Sequence, residues 1–133
     1  MDNKGSALLI TTIVVTSILL VIGLTLGAVS FGELNISNND RKARQALSMA
    51  EAGARDGLVM VTRNKNFQSP GYVLQLSGGS ATITVERNQP ISGKTTIISG
   101  SQVDDVKKRI KVIVSVDNDG KVVQDSWQEE EVP

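Results

Sequence analysis

The sequence predicts an α+β chain: a long N-terminal helix, transmembrane in its first half, packed against a small antiparallel β-sheet head. Three observations carry that expectation. An apolar run without charge fills residues 7–29, a helical stripe of small residues follows as far as about Asn64, and alternating strand patterns with hairpin signals occupy the remainder.

The apolar run reads ALLITTIVVTSILLVIGLTLGAV, and no charged residue occurs between Lys4 and Glu33. About 20 apolar residues cross the hydrocarbon core as a helix, and the run meets that length. Its hydroxyl residues, Thr11, Thr12, Thr16, Ser17 and Thr25, can bond back to the helix's own carbonyls and so do not forbid insertion. Ala28-Val29-Ser30 resembles a signal-cleavage site, but the run is longer than a signal peptide's apolar region of roughly 7–15 residues. A retained anchor is therefore expected. Arg41, Lys42 and Arg44 follow the span while Lys4 alone precedes it, so a count of positive charges places the C-terminal part in the cytoplasm. Gly23 and Gly27 form a GxxxG pair within the span, a spacing that lets two helices approach closely in lipid.

Residues 33–40, ELNISNND, are poor helix formers, so any break in the helix is expected between Gly32 and Asp40. Helical periodicity then resumes. Ala43, Ala46, Leu47, Ala50, Ala54, Gly57, Leu58 and Val61 make one stripe, with Arg44, Ser48, Glu51 and Arg55 opposite. An unbroken helix from Ser6 to Asn64 would be roughly 90 Å long, more than a small core can cover. Residues 66–71 read as a loop. Strand alternation follows at Tyr72, Leu74 and Leu76, at Ala81, Ile83 and Val85, and at Ile110, Val112, Val114 and Val116. Thr95–Ile98 gives a shorter apolar piece, and Val122–Trp127 a less regular last strand. Gly78-Gly79 and Asp119-Gly120 mark hairpins. Four or five strands result. One face of such a sheet needs a cover, and Ala46, Ala50, Ala54 and Leu58 on the helix are expected to provide it.

Composition narrows the chemistry. The 133 residues carry zero formal net charge, 3% aromatics, no cysteine and no histidine. The usual zinc sites and Ser/His or Cys/His nucleophile pairs are excluded, and no global field favours nucleic acid. Asp117-Asn118-Asp119-Gly120 has the start of a calcium loop but runs straight into a strand, so a hairpin turn is expected. Asp104-Asp105, Glu129–Glu131 and the basic run of Lys107, Lys108, Arg109 and Lys111 read as solvated surface. No enzyme, cofactor, metal or small-molecule substrate is expected.

Two short motifs carry a resemblance. Lys4-Gly5 immediately precedes the apolar run, as does the prepilin peptidase site of type IV pilins. Gln45-Ala46-Leu47 through Ala50-Glu51-Ala52-Gly53 is similar to the Q-A-x-x-A-E-A-G stretch of PilX-type pilus assembly proteins. Residues 2–58 thus resemble a type IV pilin-like protein of the PilX type. The resemblance implies a leader of residues 1–5, a transmembrane helix over 6–31, its amphipathic continuation over 32–65 and a β head over 66–133. It implies cleavage after Gly5 and N-methylation of Ser6. Major pilins carry phenylalanine and glutamate at the first and fifth mature positions, where this chain has Ser6 and Ile10. That departure points to a minor subunit. The implied setting is the bacterial inner membrane, with the head extracytoplasmic, against the charge count, and a surface filament after assembly. The implied partners are prepilin peptidase, membrane lipid and other pilin-like subunits, the last through the N-terminal helix. The alternative class is a membrane-tethered binding module outside any filament, for which cleavage after Gly5 has no purpose.

Overall fold

The structure is a computed structural model, described here for residues 3–132. Met1 and Asp2, part of the expected leader, lie outside the described residues. One helix, α1, spans Asn3–Arg63. Five strands follow: β1 (Ser69–Leu76), β2 (Gly79–Arg87), β3 (Lys94–Val103), β4 (Val106–Val116) and β5 (Val122–Glu130). They form one antiparallel meander in sequential order. The chain divides into two compact units, Met1–Asn38 and Asn39–Pro133, the second of which is the head.

Helical structure runs without interruption through Gly32–Asp40, the one stretch where any break was expected to fall. The propensity penalty of asparagine and serine is only some tenths of a kcal/mol per residue. Breaking the helix would instead leave backbone donors and acceptors without partners at two new ends. Arg44 also donates to Asp40 at 2.9 Å, one turn apart, across the end of the weak segment.

In the head, Ala50, Ala54 and Val61 of α1 share a buried cluster with Ala81, Ile83, Val85, Ile97, Ile110, Val112 and Val114. Leu58 packs against it half-buried. The buried helix face also includes Ala46, Met49, Gly53 and Gly57. A methyl added at Gly53 would fall onto the Ser99 hydroxyl and lie 2.8 Å from the Ala81 Cβ. One added at Gly57 would lie 2.7 Å from Ile97 Cγ2. These two glycines, one turn apart, let the helix backbone approach β2 and β3 more closely than any side chain permits.

The closeness explains β3. It is the central strand and ten residues long, against the four-residue piece expected from its pattern. Its second half, Ser99-Gly100-Ser101-Gln102, has no apolar alternation. Buried under the small stripe, however, Ser99 and Ser101 fit where larger residues would not. Ser101 donates its hydroxyl to the Ala46 carbonyl, while the Ser99 hydroxyl is fully buried without a partner.

β1 likewise starts earlier than expected, at Ser69 within the supposed loop. Pro70 is tolerated because β1 is an edge strand, and the register shifts between Ser69 and Tyr72. The Tyr72 hydroxyl donates to Asp56 at 2.8 Å and clips this edge to the helix. Burial first, and that bond second, raise the pKa of the phenol far above its ordinary range.

The charge runs lie on the solvated surface, as expected, and several of their members pair across it. Lys108 reaches Glu129, while Lys111 reaches Glu130 at 3.2 Å and Arg109 reaches it at 3.9 Å, all across β4 and β5. Lys42 on the helix contacts Asp104 at 3.0 Å and Asp105 at 3.6 Å, which holds the β3–β4 turn. Its ammonium pKa is raised, chiefly by the hydrogen bond to Asp104. Such exposed pairs contribute little each, and their main effect is on register.

Substitution at the close approach tests this packing. Gly53→Ala and Ala50→Leu are expected to destabilise the detergent-solubilised chain by about 1–3 kcal/mol through overpacking. Ser99→Ala is expected to raise stability, because the hydroxyl removed is buried without a partner. Urea unfolding followed by circular dichroism reads both, and a Gly53→Ala chain as stable as the native one would contradict the close approach.

A second expectation concerns pH. Asp125 accepts from Ser115 at 2.6 Å and from Lys94 at 3.0 Å, and these bonds, Ser115's foremost, depress its carboxyl pKa. A carboxylate depressed on folding adds stability above its unfolded pKa and loses it as pH falls through the folded one. Asp125→Asn should therefore lower the melting temperature at neutral pH and reduce its fall into acid. An unchanged acid limb would show that Asp125 does not contribute.

Candidate functional site

The candidate site is the N-terminal unit, because its chemistry is unfinished within a single chain. Leu9, Ile18, Leu24 and Phe31 are 61%, 54%, 68% and 72% exposed. The helix is long and apolar enough to cross a membrane, and none of its most apolar stretch is buried. Water solvates such a surface only at a large penalty, which suggests an anchor in a membrane.

Beyond its first turn the backbone of this segment is paired along the helix, and its hydroxyls are paired as well. Thr11, Thr12, Thr16, Ser17 and Thr25 each donate to the carbonyl four residues earlier, at 2.8–2.9 Å. Each bond removes a donor that hydrocarbon could not satisfy. What the segment shows to its surroundings is therefore methyl and methylene surface, relieved by glycine.

Gly5, Gly23, Gly27 and Gly32 all face open space, with nothing within 4 Å of an added Cβ. Nothing within the chain explains a glycine at these four places, in contrast to Gly53 and Gly57. Lys4-Gly5-Ser6 lies exposed on the first turns of the helix. Gly5 and Ser6 are thus separated from Gly23 and Gly27 by several turns, and the two pairs do not form one constellation.

The expected head-packing residues Ala46, Ala50, Ala54 and Leu58 lie along the helix face described above. Met49 and Gly53 belong to the same face and were missed. Gly53 reads as the end of a motif in sequence, and only a sheet strand at contact distance gives it a reason. Gln45 donates to the Gly78 carbonyl at 3.3 Å, and a side chain on Gly78, whose φ is 99°, would meet that amide. The stretch from Gln45 to Gly53 is thus the segment that seats the helix on the β1–β2 turn and on β3.

No group of three or more acidic, histidine or cysteine side chains is placed to hold a metal among the described residues. At the Asp117–Gly120 turn, the Gly120 amide donates to the Asp117 carbonyl at 2.9 Å. Lys65 donates to the Asn118 carbonyl at 2.7 Å, an ammonium where a cation ligand would be needed.

A long helix with an unpartnered apolar half, and a five-stranded antiparallel sheet laid on its other half, define a pilin-like α+β protein. Residues 4–55 match the family described as PilX N-terminal, so that segment is similar to PilX-type, type IV pilin-like proteins. The match starts at the Lys4-Gly5 pair and ends just after Gly53, so it spans the apolar half and the seating motif but none of the sheet. No curated protein and no solved structure matched the chain.

Replacing the open glycines separates a partner-facing role from an internal one. Gly23→Ala and Gly27→Ala should leave unfolding of the head unchanged, whereas Gly57→Ala should lower its stability. Urea titration of the solubilised chain, monitored by Trp127 fluorescence, distinguishes them. Equal losses at Gly27 and Gly57 would place both against the chain's own structure.

Proposed function

We propose that this chain is a structural subunit, of the minor kind, in a type IV pilus or a related pilin-like filament. The observation that carries the proposal is the unbroken α1. Its first half has no partner in the chain and its second half forms the floor of the head. The match of residues 4–55 to the PilX N-terminal family supports a pilus-related role. On this reading the apolar half is held by inner-membrane lipid until assembly, with the head outside, and by helices of other subunits afterwards.

Exchange of lipid for helices gains little from hydrophobicity, because lipid tails are as apolar as leucine. Close approach at small residues then matters, and Gly23 and Gly27 offer it on a helix with no internal use for them. Gly5 precedes the cut, Ser6 becomes the first mature residue, and prepilin peptidase is the processing enzyme. Without a glutamate at the fifth mature position, the chain has no carboxylate there for a neighbour's terminal amine, which fits a minor subunit. The role is structural, not catalytic.

Gly5→Leu should leave a folded, uncleaved chain in the membrane fraction and absent from sheared surface filaments. Gly23→Ile should leave cleavage intact and reduce incorporation. Immunoblots of shear and membrane fractions, with intact mass of the mature chain, read cleavage, methylation and incorporation together. Gly5→Leu in the shear fraction at normal level and size would replace the filament reading with that of a tethered module.

A further inference from the structure

Every loop at one end of the head converges on a single cleft. This is the end opposite Lys42 and Gln45, where the last turn of α1 passes into β1, β2 turns into β3 and β4 turns into β5. Such clustered loops, held on a rigid sheet, are where binding groups are usually displayed. The cleft measures about 290 Å³ and is lined by Lys65, Arg87 and Lys94 together with Asn66, Asn88 and Asn118, among others.

Its electrostatics are one-sided. Three cations line it against a single carboxylate, Asp117. That carboxylate already accepts the Asn118 amide at 2.6 Å and so serves its own turn. Lys94 is answered by Asp125, which does not line the cleft. Lys65 is aimed by its bond to the Asn118 carbonyl. Arg87 is exposed and has no ion-pair partner among the described residues. A guanidinium presents a planar fork of donors suited to an oxyanion, and an ammonium adds a movable point charge.

The walls are fixed before any ligand arrives. Gly93 donates to the Asn88 side chain at 3.3 Å, and Val116 donates to the Gly93 carbonyl at 3.0 Å. These bonds tie the β2–β3 loop to itself and to β4. The lining has one apolar side chain, Val116, apart from the threonine methyl, and no aromatic ring. Stacking on a base or a sugar face therefore has no platform here, and charge with hydrogen bonding is what remains.

We propose that this cleft is an anion-binding site centred on Arg87 and Lys65, taking a phosphate-class oxyanion, free or borne on a polymer. The proposal stands on the head alone and is independent of the filament reading.

Isothermal titration calorimetry on the full chain in detergent tests it, with inorganic phosphate and a short-chain polyphosphate as separate probes. Saturable binding of either probe is expected. Equal strength per site would identify a free small anion as the ligand, and tighter binding of the chain probe a polymer. Arg87→Gln and Lys65→Gln should each weaken binding by about tenfold, the scale of one charge-assisted hydrogen bond. Arg87→Lys should weaken it less, and Lys107→Gln, at the other end of the sheet, should leave it unchanged. Circular dichroism melts confirm that each variant is folded. No saturable binding by the native chain would overturn the proposal. So would an equal loss in Lys107→Gln, because binding would then follow total charge and not this cleft.

Discussion

The contact on which the rest of the head depends is the close approach of α1 to β2 and β3 at Gly53 and Gly57. A sheet of about 65 residues with one covered face is near the lower limit of what a single core can stabilise. It gains by bringing its cover as near as possible, since dispersion falls away steeply with a gap of even half an ångström. Two glycines and three alanines on one helix face achieve this, and they constrain what the strands beneath can carry. Ala81, Ser99 and Ser101 are small because the helix is close. Opposite Gly57, Ile97 and Ile83 take up the space that the missing side chain leaves, and Ile110 fills the core beyond them. One orphaned hydroxyl, Ser99, is the cost of that fit.

The same helix holds two glycine pairs with opposite meanings. Gly53 and Gly57 are filled against the chain's own sheet, while Gly23 and Gly27 meet nothing. Both pairs have the spacing that brings backbones together. In one case the second surface is present within the chain, and in the other it has to come from outside. A helix interior glycine costs about 1 kcal/mol against alanine, so an unpartnered pair is a cost without an internal return. That asymmetry is what motivates the proposal of an intermolecular contact in the first half of α1.

Charge in the head fixes alignment more than it adds stability. The basic run of β4 faces the acidic end of β5, and Lys42 faces Asp104 and Asp105. A one-residue slip of β5 would break three of these pairs and move Trp127 off the helix side. The cationic cleft at the opposite end stands apart from this pattern, because among the described residues Arg87 and Lys65 have no acidic partner to align.

The sequence by itself determined the elements whose pattern is local. An uncharged apolar run of membrane length, a small-residue stripe at helical spacing and clean alternation in β2 and β4 each follow from the chain's own periodicity. So does the split of the helix into an apolar half and a head-bound half, on which the pilin-like assignment rests. Only the tertiary structure decided the rest. β3 showed only its first part, because Ser99-Gly100-Ser101 has meaning only beneath Ala46 and Gly53. The early start of β1 depended on its being an edge strand, which no local pattern states. The pairing within the charge runs was not legible because the partners lie about twenty residues away across a hairpin or, for Lys42, about sixty residues along the chain. Periodicity records how a residue relates to its near neighbours, whereas closeness between distant segments exists only once the chain has folded.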